Sequence, residues 1–188
     1  MTAPRPRTPY RRTVTFAYAT PTRTQLLGIP DGPAGTRATL RLMARLVRQF
    51  RKDPSIRLTA QTIVRDARIE GHKNYPAMVR ALHGWVQKNV QYLRDIRGTE
   101  TLQTPIKTLE FRQGDCDDQA TLLASLLEAI GFRSRFVAIK SAPDGPFIHV
   151  FTEVNLGRRW IPLETTELWP AGRGPSPAIV AGRMIEDI

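Results

Sequence analysis

The chain has 188 residues, enough for one domain with a real core, and 41% of them are hydrophobic. A single cysteine excludes an intrachain disulfide framework and any cysteine-rich zinc site. The net charge of +11 is uneven: residues 1–52 hold 11 Lys/Arg against one acid, whereas residues 53–188 hold 17 against 16.

The basic quarter is an arm or helix face that suits an acidic protein surface or nucleic acid, although no nucleic-acid motif accompanies it. No apolar run reaches the length of a membrane span, and the opening Met-Thr-Ala-Pro-Arg lacks a secretory apolar core. The expected location is therefore the cytoplasm.

In chain order, residues 1–12 are rich in proline and arginine and read as extended or disordered. Val14 to Ala19 alternates and reads as a short strand. Gly28 to Gly35, with Pro30 and Pro33, reads as loop. A helix is expected from Thr36 or Thr39 to about Lys52, with Leu40, Met43, Val47 and Phe50 as its apolar stripe. Asp53-Pro54 breaks it. A second helix spans about Ile56–Glu70, with Ala60, Ile63, Val64 and Ala67 facing inward and Gly71 at its end. A third opens at Asn74-Tyr75-Pro76, buries Met78, Val79, Leu82, Val86 and Val90, and ends near Tyr92. His72 sits in a Gly-His-Lys turn. His83 lies beside an apolar stripe with no partner at metal-ligand spacing, and both histidines read as structural or surface residues. Asp95 to Gln113 reads as a connection with a short Leu109-Glu110-Phe111 segment.

Gly114 to Gly131 is the stretch around which the rest is organised. Asp115 caps a helix, Leu122, Leu123, Leu126, Leu127 and Ile130 give it one apolar face, and Gly131 stops it. Cys116 therefore falls in the first turn, where the helix dipole favours an anion. Asp115, Asp117 and Asp118 push the other way on its pKa. After the helix, Arg133–Lys140, Phe147–Leu156 and Arg159–Glu164 read as three strands, the last two joined at Gly157-Arg158. Trp169 to Pro177 is a loop, and the last eleven residues are too short to assign.

Side chains alternate along a strand, so Phe147, His149, Phe151 and Glu153 share one face and Trp160, Pro162 and Glu164 another. A hairpin centred on Leu156-Gly157 puts His149 opposite Glu164, or one residue from it. A carboxylate there holds one imidazole nitrogen and leaves the other for Cys116, which is a nucleophile, base and orienter in chain order.

At these residues the sequence resembles the transglutaminase-like cysteine-protease superfamily, with its papain-like core. The resemblance lies in Gly114-Asp115-Cys116-Asp117-Asp118 and the Leu-rich helix, Arg135-Phe136-Val137, His149 to Val154, and Trp160 to Thr166. Together these span about residues 80–168. Tyr92-Leu93-Arg94-Asp95 and Glu100 to Pro105 look like the approach segment of phage and prophage members. The resemblance implies a triad of Cys116 as nucleophile, His149 as base and Glu164 as orienter. The family usually has aspartate at the third position.

The expected fold is α+β and papain-like, with N-terminal helices and a central cysteine-bearing helix on an antiparallel sheet. Residues 1–35 form a basic arm with a short strand. Residues 36–188 form the transglutaminase-like domain, divided into helical (36–131), sheet (132–168) and tail (169–188) parts. The expected chemistry is acyl transfer from an amide of a protein or peptide substrate. Peptidase or amidase is preferred over transamidation because no acceptor-amine site is identifiable. The oxyanion donors are the Cys116 backbone N–H, with Gln103 and Gln113 as side-chain candidates. No metal and no cofactor are called for. The alternative is a phage virion or assembly protein that keeps the fold and uses its basic arm on another phage structural protein or on nucleic acid.

Overall fold

The computed structural model describes residues 11–17, 22–71, 73–95 and 100–188. The expected extended segment at the extreme N-terminus, Tyr18 and Ala19 of the first predicted strand, and the His72 turn lie outside these residues.

The chain opens with a hairpin of β1 (Arg11–Ala17) and β2 (Thr22–Gly28), and β1 also pairs in parallel with β4 (Glu100–Gln103). Three helices follow the hairpin: α1 (Gly32–Phe50), α2 (Pro54–Asp66) and α3 (Tyr75–Asn89). Each carries a proline in its first turn, where no N–H is needed. That explains one correction. The Gly/Pro-rich stretch expected to be loop through Gly35 supplies the first turn of α1 from Gly32 onward. A second correction concerns α2, which ends at Asp66 and leaves Ala67 exposed beyond it, while Ile56 is the buried residue at its start.

The expected connection from Asp95 to Gln113 also holds more structure than its composition suggests. It contains β4 and a seven-residue helix α4 (Pro105–Phe111), which Thr104 caps by accepting from the Lys107 N–H at 3.3 Å. Arg112 then takes a left-handed conformation, φ +57°, and turns the chain into β5 (Gln113–Gly114). β5 pairs in parallel with β3 (Gln91–Tyr92), setting Tyr92 against Gly114.

The central helix α5 (Cys116–Ala129) packs against α1, α2, α3 and α4 on one side and against β6 (Ser134–Lys140) and β7 (His149–Leu156) on the other. It is buried all round from Asp118 to Leu127, not along one face as expected. A helix enclosed on every side must satisfy its polar groups internally. Ser125 donates to the Thr121 carbonyl at 2.8 Å, and Thr152 of β7 donates to the Ala120 carbonyl at 3.0 Å. The helix stops in a Schellman arrangement. Gly131, φ +94°, donates to the Glu128 carbonyl and Phe132 to the Leu127 carbonyl.

The main sheet is antiparallel, in the order β8-β7-β6-β9, with β8 spanning Arg159–Leu163 and β9 spanning Gly182–Asp187. β9 comes from the terminal residues left unassigned from sequence. Its burial explains why: of Gly182–Asp187 only Met184 is buried. Val150, Thr152 and Val154 of β7 face α5, while Phe151 joins Val137 and Ile139 on the outer face. Glu153, also outward, bridges Arg135 at 2.6 Å and Arg183 at 3.1 Å.

On α1, Arg37, Arg41, Arg45, Arg48 and Lys52 just beyond its end are all exposed. Their spacing places them on one side of the helix axis, and they make no ion pair among the described residues. No described helix is long and apolar enough to cross a membrane.

Candidate active site

Cys116 is the first residue of α5, so its backbone N–H has no acceptor within the helix. Asp115 caps the helix through one oxygen that accepts from Asp117 N at 3.1 Å and Asp118 N at 3.3 Å. The approach to it is fixed by Gly114. A Cβ at that position would lie 2.5 Å from Cβ of Asp118, so only glycine fits there. Asp118 is buried and reaches the other way. It accepts from Gln103 N at 2.7 Å and from Gln103 Nε2 at 2.8 Å, fastening β4 to the start of α5.

Cys116 is partly exposed and lines a cleft of about 300 Å³. Leu40 and Met43 of α1, Tyr92, Asp95 and Asp115 line it too, with Ile148 and His149 on the β7 side. The thiol donates to Asp117 Oδ1 at 3.4 Å. Its pKa is pushed well above the ordinary cysteine value, first by burial and then by the charges of Asp117 and Asp115, while the Val150 N–H favours the anion. The surroundings of the sulfur therefore favour the thiol over the thiolate. Proton removal needs a base that also leaves a positive charge nearby.

His149 occupies the first position of β7, and its Nε2 lies 2.6 Å from Glu164 Oε2. Burial raises the Glu164 pKa, but the bonds from His149 and from Thr166 outweigh it and leave the carboxyl below its usual range. A carboxylate only accepts, so His149 Nε2 carries the proton and Nδ1 is the open nitrogen. Thr166 N and Oγ1 donate to the other Glu164 oxygen at 2.9 and 2.8 Å. Glu164 has no charged partner other than His149 among the described residues.

The pairing corrects the expected register. The β7–β8 ladder runs through Leu156↔Arg159 and Thr152↔Leu163. Continued by one step, it would set Glu164 against Phe151, two residues from His149. The pair meets diagonally on one face, a reach that long side chains span. The His149 ring also stacks on Phe151, with centroids 6.3 Å apart.

Gln103 and Gln113 are placed differently. The Gln103 amide donates to Asp118 Oδ2 and, at 3.3 Å, to the Gln113 carbonyl, which engages both of its protons. Gln113 is exposed, and neither residue lines the cleft. Of the two readings of His83, structural or surface, burial favours the structural one. The residue is 2% exposed, and its Nε2 donates to the Glu164 carbonyl at 2.5 Å. Its pKa is lowered by burial against smaller opposing contributions from Glu164. Tyr92 and Asp95 at the cleft were missed as site residues because their approach depends on β3–β5 pairing, which two-residue strands do not announce.

A buried helix with a cysteine at its mouth, packed on an antiparallel sheet that carries a His–carboxylate pair, defines the papain-like class of α+β folds. The family model of the transglutaminase-like superfamily matches residues 60–165, more than half of the chain, and the protein belongs to that superfamily. Among solved structures, a provisionally assigned protease from Parabacteroides distasonis is 13% identical, with a TM-score of 0.56, covering 88% of this chain and 34% of that one. A provisionally assigned cysteine protease from Cytophaga hutchinsonii is 23% identical, with a TM-score of 0.46, over 70% of this chain and 46% of that one. The chain thus spans less than half the length of either. No curated protein matches it.

Proposed function

We propose that the protein performs thiol-dependent acyl transfer on an amide, acting as a peptidase or amidase through Cys116, His149 and Glu164. His149 Nδ1 takes the thiol proton as sulfur attacks the amide carbonyl. The imidazolium, stabilised by Glu164, then gives that proton to the leaving amine, and a thioester on Cys116 remains. Water completes hydrolysis, and an amine in its place would complete transamidation. The Cys116 backbone N–H serves the oxyanion, since the amide protons of Gln103 are engaged elsewhere. Leu40 and Met43, with exposed Ile148 at the rim, suit an apolar side chain beside the scissile bond of a peptide.

The observation that carries this reading is the 2.6 Å bond from buried Glu164 to His149, which lines the same cleft as Cys116. Its test is alkylation of Cys116 by iodoacetamide near pH 7. The thiol should react several-fold faster than in His149→Ala, because the imidazole takes its proton. A rate unchanged by the substitution would rule the reading out.

A second reading is favoured by the exposed row from Arg37 to Lys52. It is a binding or assembly role of the phage type, in which the row holds nucleic acid. Anisotropy with a fluorescent DNA duplex should then show affinity that falls steeply between 50 and 200 mM salt, as it does by about 10³–10⁵ for proteins making 6–10 phosphate contacts. Replacing Arg37, Arg41, Arg45 and Arg48 together with glutamine should abolish it.

A further inference from the structure

Glu164 lies one residue beyond the end of β8, so no ladder hydrogen bond holds its backbone. The segment that carries it is not anchored by apolar packing at its tip either: Leu168 is 83% exposed. Its backbone carbonyls are attached to α3. His83 and Gln87 are four residues apart and share a helix face. His83 Nε2 donates to the Glu164 carbonyl at 2.5 Å, and Gln87 Nε2 lies 2.9 Å from the same oxygen. The Gln87 nitrogen also meets the carbonyls of Glu167 at 2.6 Å and Trp169 at 2.9 Å. One amide group with two protons thus gathers three carbonyls of one loop. Its orientation is fixed, because the amide oxygen in that place would face three acceptors.

The geometry points to His83 and Gln87 as positioning residues for the acid. They set the peptide plane at Glu164, and with it the direction in which the carboxylate leaves the backbone to meet His149. The inference rests on the reading of Cys116, His149 and Glu164 as one relay. Its physical content is specific. If the loop drifts, the carboxylate no longer steadies the imidazolium, and the thiolate, without a stable cation beside it, forms only at higher pH. A role confined to holding the fold together would lower thermal stability and leave that titration in place.

The experiment is the pH–rate profile of Cys116 alkylation by iodoacetamide, measured on the full chain beside a thermal melt. The thiol faces Asp115 and Asp117 from its own helix, Tyr92, Arg94 and Asp95 from the β3 side, and His149 from β7. None of these is altered. Gln87 is only half-buried and is not among the buried residues of α3, Val79, Leu82, His83 and Val86, so Gln87→Leu leaves the core in place. Its profile should move upward by about one pH unit, a tenfold loss of thiolate on the acid side. His83→Phe should shift it likewise, and His83→Gln, which keeps a donor near the Nε2 position, should restore it. Profiles of Gln87→Leu and His83→Phe that overlay wild type would overturn the proposal, as would a shift in His83→Gln as large as in His83→Phe. Should His83→Phe fail to fold, Gln87→Leu alone decides. A wild-type profile with no dependence on His149 would instead remove the relay itself.

Discussion

The least obvious residue at the site is Asp117. It accepts from the thiol and stands second only to burial in keeping Cys116 protonated. Removing its charge takes away a repulsion felt by the thiolate alone, so the thiol pKa falls. Asp117→Asn should therefore speed alkylation of Cys116 at pH 7 about threefold to tenfold, where tenfold corresponds to one pKa unit. An unchanged rate would mean that the helix start tolerates the anion without help. At this scale the sequence was readable where chemistry is local. Asp115 as cap, the opposing acids and a histidine sharing a strand face with Phe151 all follow from spacing. His83 was not readable in the same way, because its partner lies 81 residues away and is a backbone carbonyl, which leaves no mark on residue type.

At the scale of elements, the site depends on two units meeting: the helix that brings Cys116 and the strand that brings His149. Thr152 joins them with a buried hydroxyl bond to the Ala120 carbonyl. Thr152→Val keeps the shape and removes that bond, which should cost about 1 kcal/mol in a urea titration. A loss well above that would mean that Thr152 carries more than this contact. Element existence was legible wherever a periodic apolar pattern ran long enough, as in α1, α3 and β6. It failed for α4 and β9. The first is seven residues long and the second exposes most of its side chains, so neither leaves a pattern to read. Register failed for a related reason. The Gly157-Arg158 turn closes Leu156 on Arg159 instead of centring on Leu156-Gly157, and that shift moved Glu164 two places along the strand.

For the whole molecule, the acidic mouth of α5 sets how stability depends on pH. Burial and then the charges of Asp117, Asp118 and Asp95 push the Asp115 carboxyl up to about 9. Burial likewise raises Asp118, to about 7 despite the Gln103 bonds. A carboxyl whose folded pKa exceeds its unfolded value favours the fold most fully at low pH, and that contribution disappears as pH climbs through the folded value. Two groups act in the opposite sense and lose stability on acidification: Glu164 below its usual range and His83 below about 6.5. Between pH 7 and 9 these are silent and Asp118 is nearly titrated, so Asp115 dominates, while Cys116, raised above its ordinary value, adds a smaller fall in the same sense toward pH 9. The melting temperature of the wild-type chain should therefore fall by several degrees across that window. Asp115→Asn keeps an equally good cap, since asparagine serves that position as well as aspartate, but carries no titrating group. Its melting curve should fall much less than that of wild type from pH 7 to 9 and cross above it at the alkaline end. Parallel curves would show instead that the cap titrates as an ordinary carboxylate, with the two N–H bonds from Asp117 and Asp118 outweighing its acidic neighbours.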